Sequence, residues 1–235
     1  MKSFAVVAPF VSALAVSLAL LAPGEAAACG MSVRLAPIEP QQNVKPSPVM
    51  EVAAAEKALD QNQPLIAARK ILGSFPTVRA EEAGKDPLRT RALRVFALAA
   101  VRADGGLALG GNQTWTRTAN LEWAVQALRE IDQKRPNDPA LQADLGEALA
   151  RLPHTKAEAF GLLDGLAQKD LMGSPSAYAA LSHLRAEKGD ANGATVAMKR
   201  CEGMAQTPAV CVQPAKTAAV VPVAPLHMTM LASRQ

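Results

Sequence analysis

Apolar residues recur every three to four positions through the middle of this chain, which is the spacing of one face of an α-helix. The clearest apolar stripe follows Pro87 and consists of Leu88, Ala92, Val95 or Phe96, and Ala99. Similar stripes begin at Leu121 and Leu141. The sequence has no comparable run of alternating β-branched residues, which would be typical of strands. We therefore predict an all-α fold.

A signal for the start of a helix occurs four times in this region: a Ser or Asp followed directly by a Pro. The four pairs are Ser47-Pro48, Asp86-Pro87, Asp138-Pro139 and Ser174-Pro175. A Ser or Asp side chain accepts a hydrogen bond from an amide of the first turn, and Pro at the first helical position has its φ angle preset. The sequence TKAE at residues 155–158 has the pattern of a capping box and predicts one more helix start.

The spacing of the four helix starts predicts a repeated architecture. The starts are 39, 52 and 36 residues apart, and each interval is long enough for two helices and a turn. A single amphipathic helix pair cannot bury its apolar stripe alone, so neighbouring pairs must cover it. We predict a solenoid of about four antiparallel helical hairpins over residues 47–203, with its function in a surface groove.

Several segments of this region resemble the tetratricopeptide-repeat family. The strongest resemblance is carried by Tyr178, Leu181, Gly189, Asp190, Ala194, Met198 and Cys201. A second helix with its closing proline is matched by Ala124, Leu128, Ile131 and Pro136. The resemblance extends from Ser47 to Cys201, but most of the family's aromatic positions hold Ala, Leu or Gln here. It implies a tetratricopeptide-like scaffold that binds a protein or peptide; other helical-hairpin repeats are the alternative.

The first 28 residues have the three-part pattern of a secretory signal peptide. Lys2 precedes an apolar run from Phe4 to Ala22, and small residues lead to a predicted cleavage after Ala28. A retained transmembrane helix is the alternative, but the run contains Pro9 and two serines, and no basic cluster follows it. We predict that residues 1–28 direct export of the protein.

Cys29 follows three alanines and resembles the acylated cysteine of a bacterial lipobox, although Ala26 stands where that motif usually has Leu. Cys201 and Cys211 are ten positions apart and are predicted to form a disulfide, which leaves Cys29 without a thiol partner. Lipidation of Cys29 would account for the odd cysteine. The alternative is an incidental thiol in a chain whose cysteines are unpaired. The predicted location is the outer membrane, as a lipoprotein, or the periplasm, with membrane contact only through the lipid.

Proline-rich sequence flanks the predicted helical domain on both sides. Residues 29–46 contain three prolines among polar residues and are predicted to be a flexible tether. Residues 204–235 contain four prolines and no helical period, so they are predicted to be a disordered tail.

Arg89, Arg91, Arg94 and Arg102 form the most basic segment of the chain, and the first three are candidate partner-binding residues on a predicted first helix. In tetratricopeptide arrays the first helix of a pair lines the concave face, so the resemblance implies that these arginines bind an acidic peptide or a C-terminal carboxylate. The alternative is a solvated face whose charge is balanced by Glu81, Glu82 and Asp86.

The second helix pair contains an insertion, Asp104 to Thr118, with four glycines and Trp115. Insertions of this length inside compact folds are often functional or disordered. Trp115 is therefore a candidate aromatic anchor for a partner in the groove. The alternative is that Trp115 packs on a helix end.

Composition and motifs argue against nucleic-acid binding and catalysis. The net charge is +4 without runs of Lys or Arg, and aromatic residues make up 3% of the chain, too few for a base-stacking surface. The three histidines are scattered and form no zinc motif, and the glycine-rich GGLALGG lacks the Lys-Ser/Thr of phosphate loops. We predict no catalytic residue, metal or cofactor. Two other functional classes stay open: a module that binds cell-wall polymer, and an enzyme of an unrecognised type.

Overall fold

The computed structural model of the chain describes residues 46–107 and 116–212, and these two ranges form eight α-helices. The helices are α1 (Pro48–Asp60), α2 (Pro64–Ser74), α3 (Pro87–Arg102), α4 (Arg117–Lys134), α5 (Pro139–Leu149), α6 (Lys156–Gln168), α7 (Pro175–Glu187) and α8 (Ala191–Met204). No β-strand occurs in either range, so the predicted all-α class is confirmed. Cys29, Trp115, the predicted signal peptide and most of the predicted tether lie outside the described residues, as do residues 213–235.

Each of the four Ser-Pro and Asp-Pro pairs starts a helix, as predicted. Their side-chain oxygens accept backbone amide hydrogens: Ser47 from Met50 at 3.4 Å, Asp86 from Arg89 at 2.8 Å, Asp138 from Ala140 at 3.0 Å, and Ser174 from Ala177 at 3.3 Å. The proline lies in the first turn of each of these helices. The four signals therefore define the starts of α1, α3, α5 and α7.

The predicted capping box at residues 155–158 is not formed, although α6 does begin there. The Thr155 hydroxyl donates instead to the Leu149 carbonyl, with an Oγ1–O distance of 2.6 Å. The cause is the 3₁₀ turn Pro153–Thr155, which precedes α6 and directs this hydroxyl back to the end of α5. The geometry of the turn outweighs the local sequence signal.

Helices that are adjacent in sequence form four pairs: α1–α2, α3–α4, α5–α6 and α7–α8. The second helix of each pair also packs on the first helix of the next pair, and α1, α3, α5 and α7 contact one another in that order. The first helices therefore form a continuous layer. Close packing of α5 on α6 depends on Gly146, where a Cβ atom would lie 2.5 Å from Leu163 Cδ2.

The α3 helix is buried more deeply than its single predicted apolar stripe implies. Every residue from 92 to 101 except Arg94 is buried. The reason is that α1, α2, α4 and α5 all pack against α3. Arg94 and Arg102 consequently lie next to the core of the helical layer rather than on a separate polar face.

Residues 205–212, which follow α8, are named the strap. They belong to the segment predicted to be a disordered tail, residues 204–235, but in the structure they pack beside α7 and the α1–α2 turn. Cys201 and Cys211 are joined by a disulfide, with their Cα atoms 5.8 Å apart, and both are buried. This part of the predicted tail is structured because the disulfide returns it to the helical body.

Candidate binding cleft

The first helices α1, α3, α5 and α7 line a surface that we name the inner cleft. Two open cavities of about 400 and 390 Å³ lie along it. The first, the central cavity, is bounded by Leu59 of α1 and Leu98 of α3. The second, the end cavity, is bounded by Asn62 and by Ala180 of α7. The two cavities adjoin each other, since Arg102, Ser176 and Val210 of the strap line both.

Two ion pairs join α3 to α5 at the inner cleft. Arg94 Nε donates to Asp144 Oδ2 at 2.5 Å, and Arg102 donates to both Glu147 carboxylate oxygens at 3.0 and 3.1 Å. The side chains of Asp144 and Glu147 are only 5% and 0% exposed. Because a buried carboxylate is strongly unfavourable without its partner, these pairs determine how α3 and α5 face each other.

Burial changes the protonation of this charged cluster. Desolvation raises the pKa of Asp144 to about 6, and the charge and hydrogen bond of Arg94 oppose this rise without cancelling it. For Arg102, burial lowers the pKa, but the charges of Glu147 and Asp144 outweigh that effect, and the net direction is upward. Arg102 therefore stays positively charged, whereas Asp144 takes up a proton near pH 6.

The structure places the three predicted binding arginines on α3 in different surroundings. Arg89 is exposed and pairs with Glu81 at 2.5 Å, one of the acidic residues expected to balance it. Arg91 donates to both carboxylate oxygens of Glu56 on α1, at 2.6 and 2.5 Å. Arg94 is the partly buried partner of Asp144. The three side chains therefore do not act as one basic patch.

Arg91 and Arg94 do line one cavity of about 610 Å³, which we name the basic cavity. It lies where the start of α3 meets the end of α4. Lys134 and Arg135 complete its cationic lining, and Glu56 is the single acidic residue among the described residues that line it. Three of these cations have acidic partners: Arg91 pairs with Glu56, Arg94 with Asp144 and Arg135 with Asp138. Within the described residues Lys134 therefore supplies the positive charge of this cavity that no ion pair offsets, and that charge favours an anionic group. The uncharged lining consists of Gly84, Pro87, Thr90 and Ile131.

Sequence reasoning missed Asp144 and Glu147 as buried partners of arginine. The sequence does carry a signal for these two residues. They lie three positions apart in one helix, beside its apolar stripe of Leu141, Leu145 and Ala148. Of the predicted partner-binding residues, the described part of the chain brings together Arg91 and Arg94, while Trp115 falls outside it.

Comparisons of this chain with protein families, with curated proteins and with solved structures found no match. None of the described helices combines the length and the apolar character that crossing a bilayer requires. Within residues 46–107 and 116–212, the His, Cys, Asp and Glu side chains form no group of three suited to holding a metal ion.

Proposed function

We propose that this protein is an exported, non-catalytic scaffold of the cell envelope that binds a protein or peptide in the inner cleft of a tetratricopeptide-like solenoid. The observation that carries the proposal is the continuous layer of first helices, along which the central and basic cavities share Glu56 and Arg94 as lining residues. Grooves between preformed helices suit extended or helical peptides, because the protein loses little conformational entropy on binding.

The proposed export is supported by the Cys201–Cys211 disulfide. Disulfides persist in oxidising compartments such as the periplasm and are rare in the bacterial cytosol. In this proposal residues 1–28 direct export, and residues 29–46 tether the helical domain to the outer membrane through a lipid on Cys29. Incorporation of labelled fatty acid into the wild-type protein, and its loss in Cys29→Ser, would support acylation of Cys29. An unlabelled soluble product would contradict the lipid and leave a periplasmic scaffold.

The basic cavity indicates the chemistry of the partner. Arg91 already holds a carboxylate, that of Glu56, through two hydrogen bonds, which is the geometry that guanidinium groups use for acidic ligands. Lys134 is exposed and makes no ion pair within the described ranges. We therefore assign the basic cavity to an acidic side chain or a C-terminal carboxylate of the partner.

A fluorescent peptide of alternating Glu and Gly tests this assignment by anisotropy. Arg91→Ala and Lys134→Ala are expected to weaken binding by about tenfold each, since each removes one charged contact of about 1.5 kcal/mol. Arg89→Ala is the matched control, because Arg89 is an exposed arginine of the same helix outside the lining of the basic cavity. Equal affinity of all three variants and the wild type would contradict the assignment.

A further inference from the structure

The strap lies across the inner cleft, between the α1–α2 turn and α7. Asn62 Nδ2 donates to the Ala209 carbonyl at 3.2 Å, although the two residues are 147 positions apart in the sequence. Val210 lines the central cavity together with Leu59 and Leu98. A segment of the chain itself therefore occupies the surface to which the proposed function assigns an extended partner.

The strap combines extended residues with one short turn, and it is uncharged. Ala205 and Thr207 have extended ψ angles of 131° and 132°, and a 3₁₀ turn follows at Pro208–Val210. The strap sequence AQTPAVCV has no charged residue. Gln206 and Val210 are the strap residues that line the central cavity, and Val210 lies there with Leu59 and Leu98.

Few hydrogen bonds hold the strap against the rest of the protein. In the described part of the chain, Asn62 to Ala209 is the single side-chain hydrogen bond between the strap and another element. The Thr207 hydroxyl is buried with no hydrogen-bond partner in the protein, an arrangement that destabilises the covered state. The disulfide between Cys201 and Cys211 closes a ring that contains strap residues 205–211, and it is therefore the main restraint.

We infer that the strap is an internal ligand of the inner cleft and that the Cys201–Cys211 disulfide keeps it in place. The inference rests on the proposed function and refines it, because the partner must then carry an extended, uncharged stretch that replaces the strap at Asn62 and in the central cavity. Reduction by a dithiol opens the strap: the S–S bond breaks, two electrons and two protons yield two thiols, and the dithiol becomes a disulfide.

The test uses the chain from residue 29 onward with Cys29→Ser, so that only the disulfide cysteines remain. The probe is a fluorescein-labelled peptide with the sequence of residues 203–212 and Cys211→Ser, and a scrambled peptide of the same composition is its control. Three proteins are compared by anisotropy: the oxidised protein, the variant Cys201→Ala with Cys211→Ala, and that variant with Val210→Asp added. The third protein weakens its own strap, because it replaces the half-buried Val210 side chain with a charged one that loses solvation there.

We expect the peptide to show no measurable binding to the oxidised protein, because a tethered strap competes at a high effective concentration. The cysteine variant should bind the peptide. Adding Val210→Asp to that variant should make binding about tenfold tighter. Treatment of the oxidised protein with dithiothreitol should reproduce the cysteine variant. Equal affinity for all three folded proteins, or equal binding of the scrambled peptide, would overturn the inference. Circular dichroism and the thermal midpoint establish that each variant is folded.

Asn62→Asp in the oxidised protein gives a second test that leaves the disulfide intact. It removes the amide donor to Ala209 and retains a residue that tolerates the positive φ of 56° at this position. Amide hydrogen exchange in the strap should become faster. Asn137→Asp, at another turn with φ of 68°, should leave that exchange unchanged. Unaltered strap exchange in Asn62→Asp would contradict the inference.

These tests are separable from the test of the proposed function. The acidic peptide probes the basic cavity, which the strap does not line. Acidic-peptide binding without binding of the strap peptide to the opened protein would overturn the internal ligand alone. Loss of acidic-peptide binding with retained strap-peptide binding would instead contradict the assignment of the basic cavity.

Discussion

Arg102 and Glu147 meet in an ion pair of two hydrogen bonds, 3.0 and 3.1 Å long, between α3 and α5. Arg102 also donates to the Leu59 carbonyl of α1 at 3.5 Å. One guanidinium thus connects three of the four helices that line the inner cleft. Because the Glu147 side chain is fully buried, the pair is expected to control the stability of this layer.

Glu147→Gln should lower the free energy of unfolding by about 3 to 5 kcal/mol, because it leaves the Arg102 charge buried without its partner. Urea unfolding followed by circular dichroism measures the change. Glu158→Gln is the matched control, since the Glu158 side chain is 51% exposed in its ion pair with Arg129. That substitution should cost about 1 kcal/mol or less. A similar loss of stability in both variants would show that the buried ion pair contributes no more than the exposed one.

Asp144→Asn should alter how stability depends on pH. The folded-state pKa of Asp144 is about 6, above the value of about 3.9 for an unfolded Asp, so the folded state binds this proton more tightly. The contribution of Asp144 to the free energy of unfolding therefore falls as pH rises from about 4 to above 6, by up to about 3 kcal/mol. The Asn variant should lack this decline.

The pH test compares the wild type with Asp144→Asn by urea unfolding at intervals between about pH 4 and pH 7. Loss of the Arg94 contact shifts the variant by an offset that does not depend on the titration of residue 144. The difference in free energy of unfolding between the two proteins therefore changes with pH only through the binding of a proton to Asp144. A difference that stays constant across this range would contradict the raised pKa.

Gly146→Ala should destabilise the α5–α6 pair, because the new methyl group would meet Leu163 at 2.5 Å. Overpacking of this kind costs about 1 to 3 kcal/mol. Gly161→Ala in α6 is the control, since a Cβ there meets no atom within 4 Å. The control should gain about 1 kcal/mol from helix propensity. Thermal and urea unfolding of both variants measure the contrast, and equal stabilisation by the two alanines would contradict the close contact.

The helix starts could be predicted from the sequence because their cause is local. Ser47, Asp86, Asp138 and Ser174 each bond to an amide two or three residues away, and Pro follows each of them. Such signals depend little on the rest of the fold. The number of helix pairs followed from the same residues.

The arrangement of the charged side chains could not be predicted, because it depends on packing between distant segments. Arg94 and Asp144 are 50 positions apart, and their pairing requires that α3 contacts α5. The periodicity of α3 predicted one buried face, whereas four neighbouring helices bury almost its whole circumference. The composition of the strap likewise predicts a disordered tail, because the order of this segment arises from Cys211 and from a hydrogen bond to Asn62.

Site-specific photo-crosslinking in living cells tests the central claim most directly, that the inner cleft binds a protein partner. A benzophenone amino acid replaces Pro87, which lines the basic cavity, or Val196, which lies 58% exposed on α8. The account predicts one protein adduct from position 87, reduced by Arg91→Ala, and no such adduct from position 196. The same adducts from both positions, or adducts only to cell-wall polymer from position 87, would contradict it.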